Sequence, residues 1–181
     1  MSTTISVALG YVSRIPIREA MRKLCEVRWW QETSALTLVP GMGNSSFQSE
    51  RRQLADAFCN ETYVVADDDC FPQAAPFADA ARRILEAHPS FGILSLRPTN
   101  FKINPWRPEG YEPYEDEEVF EHVSVGGIRF CRPGCLEEWP PQTRKGYDTE
   151  HCEALRKAGY RVGYFKNLWM SHLGEGYSSV S

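Results

Sequence analysis

The sequence has 181 residues, of which 42% are hydrophobic and 24% are charged, as is typical of one globular domain. This composition excludes disordered, collagen-like and coiled-coil classes for most of the chain. The formal net charge is −4, which argues against a broad phosphate-binding surface for nucleic acid. No stretch approaches the roughly 20 apolar residues that span a bilayer, and the first residues lack the pattern of a signal peptide. We therefore expect a cytoplasmic protein that has no membrane partner.

The first half of the chain alternates between strand-like and helix-like patterns. Alternating or continuous apolar runs predict strands at 4–9, 35–39, 63–66 and 91–96. Apolar residues at helical spacing predict helices at 16–27, 49–59 and 77–87. This order predicts an α/β fold with a mostly parallel central sheet that is flanked by helices on both faces, a Rossmann-like three-layer sandwich.

The second half is less regular, although we expect it to belong to the same single domain, 1–181. Prolines and aromatic residues mark an irregular excursion at 98–121, and its acidic stretch at 112–121 is typical of a solvated face. Further patterns predict a strand at 122–131, a helix at 148–158 that ends at Gly159, and a strand at 160–165. Residues 168–181 are predicted to be a tail, of which 173–181 would be mobile.

Three cysteines and a histidine lie close together in the second half of the chain. Cys131 and Cys135 are four residues apart, and His151 and Cys152 follow further along. These side chains could form a zinc site, but their spacing matches no common zinc knuckle. The other interpretation is that the cysteines are small buried hydrophobic residues in their reduced form.

Asp67, Asp68 and Asp69 directly follow the apolar stretch at 63–66. Ligands bind at the carboxyl ends of strands in open α/β sheets, and adjacent carboxylates repel one another unless a cation lies between them. Carboxylate oxygens suit Mg²⁺ or Mn²⁺. The triplet therefore indicates a metal site, or alternatively a polar turn with one Asp capping the next helix.

Two further residues carry possible chemistry late in the chain. Asp148 opens the predicted helix at 148–158, where it is either a functional carboxylate or only the helix cap. His172 lies in a polar segment after the last predicted strand, which can return it to the active edge of the sheet.

In this order the motifs resemble those of the GT-A fold glycosyltransferases, in particular family 2-like enzymes, in a compact form. The resemblance spans about residues 4–174. The stretch at 63–70 is similar to the family's strand and DXD motif, and 125–130 to its acceptor-side strand. The stretch at 148–164, followed by His172, is similar to the late acidic motif, the Gly-Tyr strand and the closing histidine.

The resemblance implies a metal-dependent transfer of a sugar from a nucleotide-diphosphate sugar to a hydroxyl acceptor, with inversion. Asp67, Asp69 and His172 would hold Mn²⁺ or Mg²⁺, which neutralises the diphosphate leaving group. Asp67 and Asp68 would also contact the nucleotide. Asp148 would act as the general base that accepts the proton of the acceptor hydroxyl. A UDP-sugar is the favoured donor.

Several other residues are candidates for contacts with the donor or the acceptor. Arg14 and Arg52 are candidates for the diphosphate, because the guanidinium group offers a planar fork of donors. Gly126 and Gly127 would let the backbone approach the donor sugar. Trp106 would stack on a sugar or a base, and Glu150 could replace Asp148 as the base; for each of these, packing or surface exposure is the alternative.

Two other classes of function remain open from the sequence. A nucleotidyltransferase would share the sheet and the paired aspartates, but the segment at 10–14 is a poor version of its phosphate-binding loop. A non-catalytic nucleotide- or carbohydrate-binding module is the third candidate. The segment at 40–44 lacks the Asp that family 2 enzymes commonly use to bind the nucleobase. The acceptor is not predicted; a modified DNA base is possible but not favoured.

Overall fold

The computed structural model describes residues 6–10, 36–39, 62–67, 70–73, 77–99, 109–135 and 147–172. Within them, eight strands form one sheet in the order β2-β1-β3-β7-β5-β8-β4, with β6 paired to β8. The strands are β1 Ser6–Gly10, β2 Leu36–Val39, β3 Tyr63–Asp67, β4 Cys70–Pro72, β5 Phe91–Pro98, β6 Val119–Glu121, β7 Arg129–Cys131 and β8 Arg161–His172. The helices are α1 Ala78–Ala87 and α2 Tyr147–Lys157.

The sheet is mixed rather than mostly parallel among the described strands. β1 is parallel to β2 and β3, and β5 is parallel to β8. In contrast, β7 is antiparallel to both of its neighbours, β3 and β5, and β4 and β6 are antiparallel to β8. β6 and β7 both run opposite to β5, so the chain has already reversed its direction when it leaves β5 for β6, and β7 keeps that direction between β3 and β5.

The two described helices pack on opposite faces of the sheet. Side chains alternate along β3, so that Val64 belongs to the apolar cluster that contains α1, whereas Tyr63 and Val65 belong to the cluster that contains Cys152 and Leu155 of α2. Helices on both faces are therefore present in this half of the sheet. The helices predicted at 16–27 and 49–59 lie outside the described residues, so the complete three-layer arrangement stays a prediction.

Several predicted boundaries are wrong. The strand expected at 122–131 is reduced to β7, because Gly127 takes a positive φ of 77° and the carbonyls of Gly126 and Ile128 accept hydrogen bonds from the Ser95 hydroxyl. β8 continues to His172, so 168–172 is strand and not tail. The short strands β4 and β6 were not expected at all.

β6 lies inside the acidic stretch that the sequence indicates as a solvated face. Val119 is fully buried and Glu121 is 8% exposed, because β6 pairs with β8 and turns these two side chains inward. The Glu121 carboxylate is balanced by Arg161, whose Nη1 lies 2.5 Å away. Part of the predicted excursion is therefore an integral strand of the sheet.

The predicted end of the last helix agrees with the structure. Gly159 follows α2 with a φ of 93°, a left-handed conformation that glycine adopts without steric cost. Neither of the described helices is long and apolar enough to cross a membrane.

Candidate functional site

A row of side chains crosses the middle of the sheet on the face that carries α2. Backbone pairing aligns Val65 of β3 with Arg129 of β7, and Arg129 with Ser95 of β5. Ser95 is aligned in turn with Tyr164 of β8, and Tyr164 with Phe120 of β6. Three polar groups thus lie next to one another on a face that is otherwise apolar, which is unusual for the interior of a domain.

Arg129 and Asp148 form an ion pair above this row. Nη1 of Arg129 lies 2.6 Å from Oδ1 of Asp148. The Arg129 side chain is only 1% exposed, whereas that of Asp148 is 28% exposed. A buried guanidinium needs a counter-charge, so the first turn of α2 is bound to the sheet at a point where its carboxylate still reaches solvent.

Gly126 forms the wall on the other side of the Asp148 carboxylate. A Cβ atom built on Gly126 would lie 2.7 Å from Oδ2 of Asp148, closer than real Cβ contacts come. The hydroxyl of Ser95 donates a hydrogen bond of 2.7 Å to the Gly126 carbonyl and so holds this backbone in place. The N–H of Val125 donates to Sγ of Cys152, which binds the same loop to α2.

Gly127 extends this wall towards the acidic triplet. A Cβ atom on Gly127 would lie 2.5 Å from Cε of Met170 and 3.1 Å from Sγ of Cys70. Cys70 directly follows Asp69 in the chain. The two adjacent glycines therefore contact Asp148 on one side and the start of β4 on the other, although the acidic triplet and Asp148 lie far apart in the sequence.

His172 lies next to Cys70, the residue that directly follows the triplet in the chain. It ends β8, where its Cα is paired with that of Cys70 in β4. Asp67 is the last residue of β3. Carboxylate and imidazole groups are a suitable donor set for Mn²⁺, so the residue types predicted for this site fit the predicted metal. Among the described residues, no group of three or more His, Cys, Asp or Glu side chains could hold a metal ion.

Of the other predicted site residues, the structure describes only some. Glu150 is described and is only 5% exposed, so it is much less accessible than Asp148. Five predicted residues lie outside the described residues: Asp68, Asp69, Arg14, Arg52 and Trp106. Their roles stay predictions.

The cysteines of the second half are buried hydrophobic residues within the described part of the chain. Cys131, Cys135 and Cys152 are at most 1% exposed and belong to one apolar cluster. Burial raises the pKa of the Cys131 thiol to about 12 and that of Cys152 to about 11. Nε2 of His151 lies 2.7 Å from the carbonyl oxygen of Cys135. These features oppose the zinc interpretation.

The sequence analysis missed Arg129 and Tyr164. Burial, together with the charges of Cys152 and Asp148, raises the pKa of Tyr164 above its ordinary value, so its hydroxyl is neutral at physiological pH. The signal for Arg129 was present in the sequence, because it is the one charged residue within the apolar stretch Val125 to Cys131. Tyr164 had no such signal, since aromatic residues are common in strands.

Comparisons with known proteins show which solved structures have a similar fold. Searches of protein-family profiles and of curated protein sequences found no match. Among solved structures, A197 from STIV is similar over 94% of this chain and 85% of its own, with 14% identity and a TM-score of 0.57. TarS from S. aureus in complex with UDP-GlcNAc is similar over 97% of this chain, with 13% identity and a TM-score of 0.52.

GalNAc-T7 with UDP, GalNAc and Mn²⁺ is similar over 93% of this chain, with 11% identity and a TM-score of 0.53. The chain spans 62% of the TarS chain and 43% of the GalNAc-T7 chain. At this level of identity the comparison concerns the fold alone. The chain has a fold like that of the GT-A glycosyltransferases, among which structures with UDP and UDP-sugars are known.

Proposed function

We propose that the protein is a metal-dependent glycosyltransferase that moves a sugar from a nucleotide-diphosphate sugar, with a UDP-sugar favoured, to a hydroxyl acceptor. The similar structures with UDP and UDP-GlcNAc support the donor class. Membership of family 2, inversion at the anomeric carbon and a cytoplasmic location belong to the same proposal. A modified DNA base is a possible acceptor, although the net charge of −4 does not favour it.

One observation carries the proposal. The Gly126–Gly127 backbone contacts Asp148 on one side and Cys70, which adjoins the acidic triplet, on the other. A glycosyltransfer site needs one group of carboxylates near the diphosphate and a separate carboxylate near the acceptor hydroxyl. The two glycines link these regions in space, because Asp148 occupies the place of a Gly126 side chain, and Met170 and Cys70 occupy that of a Gly127 side chain.

Asp148 is our proposed general base. Oδ1 is bound to the guanidinium of Arg129, while Oδ2 lies against the Gly126 backbone. The ion pair fixes the orientation of the carboxylate, which is 28% exposed and can therefore accept the proton of an acceptor hydroxyl from its open side. Glu150 was the alternative base, and its burial supports Asp148 in preference.

Asp69, His172 and Asp67 are our proposed metal-binding residues. The pairing of His172 with Cys70, the residue after the triplet, supports this assignment, and the donor set suits Mn²⁺ or Mg²⁺. When bound, such a cation supplies Lewis-acid neutralisation of the diphosphate. Arg14, Arg52 and Asp68 complete the proposed nucleotide site, and Trp106 the sugar site.

Thermal stabilisation by nucleotides tests this function. The melting temperature would be measured with UDP, GDP, CDP, ADP and dTDP, each with and without Mn²⁺. A nucleotide that binds only the native protein raises its melting temperature. We expect one nucleotide to do so, and only when Mn²⁺ is present, because the proposed site binds the diphosphate through the metal. The variant Asp69→Ala should lose this shift. Asp79→Ala, which removes an exposed carboxylate from α1, is the matched control and should keep it. The absence of any shift with every nucleotide would exclude the proposed donor.

A further inference from the structure

A second group of residues lies on the same face of the sheet, beyond the row that holds Arg129. The guanidinium carbon of Arg97 lies 4.5 Å from the ring centre of Trp169 and 5.6 Å from that of Phe120. Arg97 therefore contacts two aromatic rings, and such contacts orient the planar cation by its π faces. The edges of the guanidinium, which carry its N–H donors, are not used by these stacking contacts.

Arg97 has no carboxylate partner within the described segments of the chain. The structure records neither a hydrogen bond nor an ion pair from its side chain to another described residue. By comparison, the guanidinium groups of Arg83 and Arg161 each pair with a glutamate. A stacked guanidinium with its donors available is suited to planar recognition of a carboxylate or phosphate.

An exposed aromatic ring and several polar side chains surround Arg97. Trp169 is 36% exposed, which is unusual for so large an aromatic residue in a strand. Two residues further along the same two strands, the hydroxyls of Thr99 and Ser171 lie 3.5 Å apart, and the Ser171 hydroxyl is also hydrogen-bonded to Gln73. An exposed indole ring beside hydroxyl and amide groups can stack on a sugar ring and bind its hydroxyls.

Arg97 and Trp169 lie on the same face of the sheet as Arg129, the partner of Asp148. Arg97 lies two residues beyond Ser95 and on the same face, so its Cα is about 7 Å along the strand from the row that contains Arg129. It lies on the opposite side of β7 from β3, next to β8, whose C-terminal end pairs with β4. A molecule whose hydroxyl reaches Asp148 would thus extend over Arg97 and Trp169.

We propose that Arg97 and Trp169, with Phe120, Thr99 and Ser171, form an acceptor subsite for a sugar that carries an oxyanion, either phosphate or carboxylate. Trp169 stacks on the ring, and the edge of the Arg97 guanidinium binds the anionic group. Binding of the anionic sugar follows from the geometry alone, whereas its role as the acceptor rests on the proposed function.

Calorimetric titration with four probes tests the subsite: glucose 6-phosphate, glucuronate, glucose and inorganic phosphate. We expect at least one of the two anionic sugars to bind more tightly than glucose and than inorganic phosphate. The comparison of glucose 6-phosphate with glucuronate decides between phosphate and carboxylate. If neither anionic sugar binds, or if inorganic phosphate binds as tightly as they do, the proposal is wrong.

Variants assign the binding to these residues. Arg97→Gln and Trp169→Ala should each weaken the binding of the anionic sugar by about tenfold or more, because each removes one of the two contacts. Arg97→Lys, which keeps the charge but not the planar fork, should be intermediate. Arg83→Gln, the matched control on α1, should bind like the unsubstituted protein. Circular dichroism would establish that all variants are folded, and unchanged binding in a folded Arg97→Gln variant would overturn the proposal.

The nucleotide measurement separates this inference from the proposed function. Arg97→Gln should keep the Mn²⁺-dependent stabilisation by the nucleotide, because the subsite is assigned to the acceptor. Loss of that stabilisation would place Arg97 in the donor site and overturn the acceptor assignment. If the unsubstituted protein binds no nucleotide but binds an anionic sugar through Arg97, the subsite stands and the transferase function fails.

Discussion

Asp148 and Asp116 are two carboxylates with almost equal exposure, 28% and 31% of the side chain, and with very different surroundings. The hydroxyl of Tyr114 and Nε2 of His88 contact Oδ2 of Asp116, and the backbone N–H groups of Glu118 and Val119 donate to its Oδ1. Both oxygens of Asp116 are thus held by groups that fix the turn before β6.

The contacts of Asp148 are of another kind. One oxygen pairs with the buried Arg129, and the other lies against the backbone of Gly126, where a single methyl group would not fit. The contacts of Asp116 stabilise a turn, whereas those of Asp148 join the first turn of α2 to the sheet. The exposed fraction alone does not distinguish the two; the identity of the partners does.

The largest expected effect would come from converting each carboxylate into an amide. Asp148→Asn should reduce sugar transfer by about 10²–10⁴-fold, because an amide cannot act as a general base, while Mn²⁺-dependent nucleotide binding is kept. Asp116→Asn is the matched control and should keep the transfer rate of the folded protein. The measurement is UDP release in the presence of the acceptor. A normal transfer rate in Asp148→Asn would reduce Asp148 to a structural partner of Arg129.

The free energy of unfolding tests how much the ion pair of Asp148 with Arg129 contributes to the fold. Asp148→Asn should lower the free energy of unfolding by about 3 kcal/mol, because it removes the carboxylate that is paired with the buried Arg129. Arg129→Met should cost less, since the carboxylate that remains can be hydrated and methionine can fill the buried space. Urea denaturation of both variants measures the difference. If the two variants lose the same stability, the buried guanidinium is no more costly to leave unpaired than the partly exposed carboxylate, and this explanation is wrong.

Two glycines with similar backbone conformations allow the wall of the site to be tested. Gly127 and Gly110 have φ angles of 77° and 73°, so alanine is strained at both by roughly 1–2 kcal/mol. A Cβ would meet Met170 and Cys70 at Gly127 but nothing within 4 Å at Gly110. Gly127→Ala should therefore cost about 1–3 kcal/mol more than Gly110→Ala, as measured by urea denaturation. Equal costs would show that Met170 moves aside freely.

The smallest expected effect concerns pH and the Asp116 side of the comparison. Burial lowers the pKa of His88, but hydrogen bonds to the Ile84 carbonyl and to Asp116 outweigh it, so the pKa is raised. The stabilisation from His88 is then complete below its unfolded pKa of about 6.5 and is lost as the pH rises through the folded value.

Asp116 behaves in the opposite sense. Burial would raise its pKa, yet hydrogen bonds from Tyr114, Val119, Glu118 and His88 together hold it well below its usual range. Its contribution is present above about pH 4 and is lost as the pH falls. The difference in stability between the unsubstituted protein and His88→Gln should therefore shrink from pH 6 to pH 9. A difference that grows over this range would mean that His88 is stabilised as the neutral imidazole.

Local patterns in the sequence were sufficient for many of the elements. Strand and helix periodicity predicted β1, β2, β3 and β5, together with α1 and α2, because each has a regular apolar pattern in the sequence. Gly159 correctly marked the end of α2. The fold class was predicted as α/β for the same reason, and the comparison with solved structures supports a GT-A-like fold.

Other features depend on partners that are distant in the chain. β4 and β6 are three-residue strands that exist only because β8 is long enough to pair with both, and the antiparallel entry of β7 makes the sheet mixed. No local pattern carries such information, since short strands are stabilised by their neighbours and not by their own propensity.

The candidate site divides in the same way. The acidic triplet, Asp148 and His172 stood out because several charged or titratable groups at the ends of apolar elements require a chemical explanation. The sequence could not show that Arg129 binds Asp148, that Gly126 and Gly127 lie between Asp148 and the start of β4, or that Arg97 stacks on Trp169. Residue types restrict the chemistry that is available, but only tertiary packing decides which groups come within a few ångströms of one another.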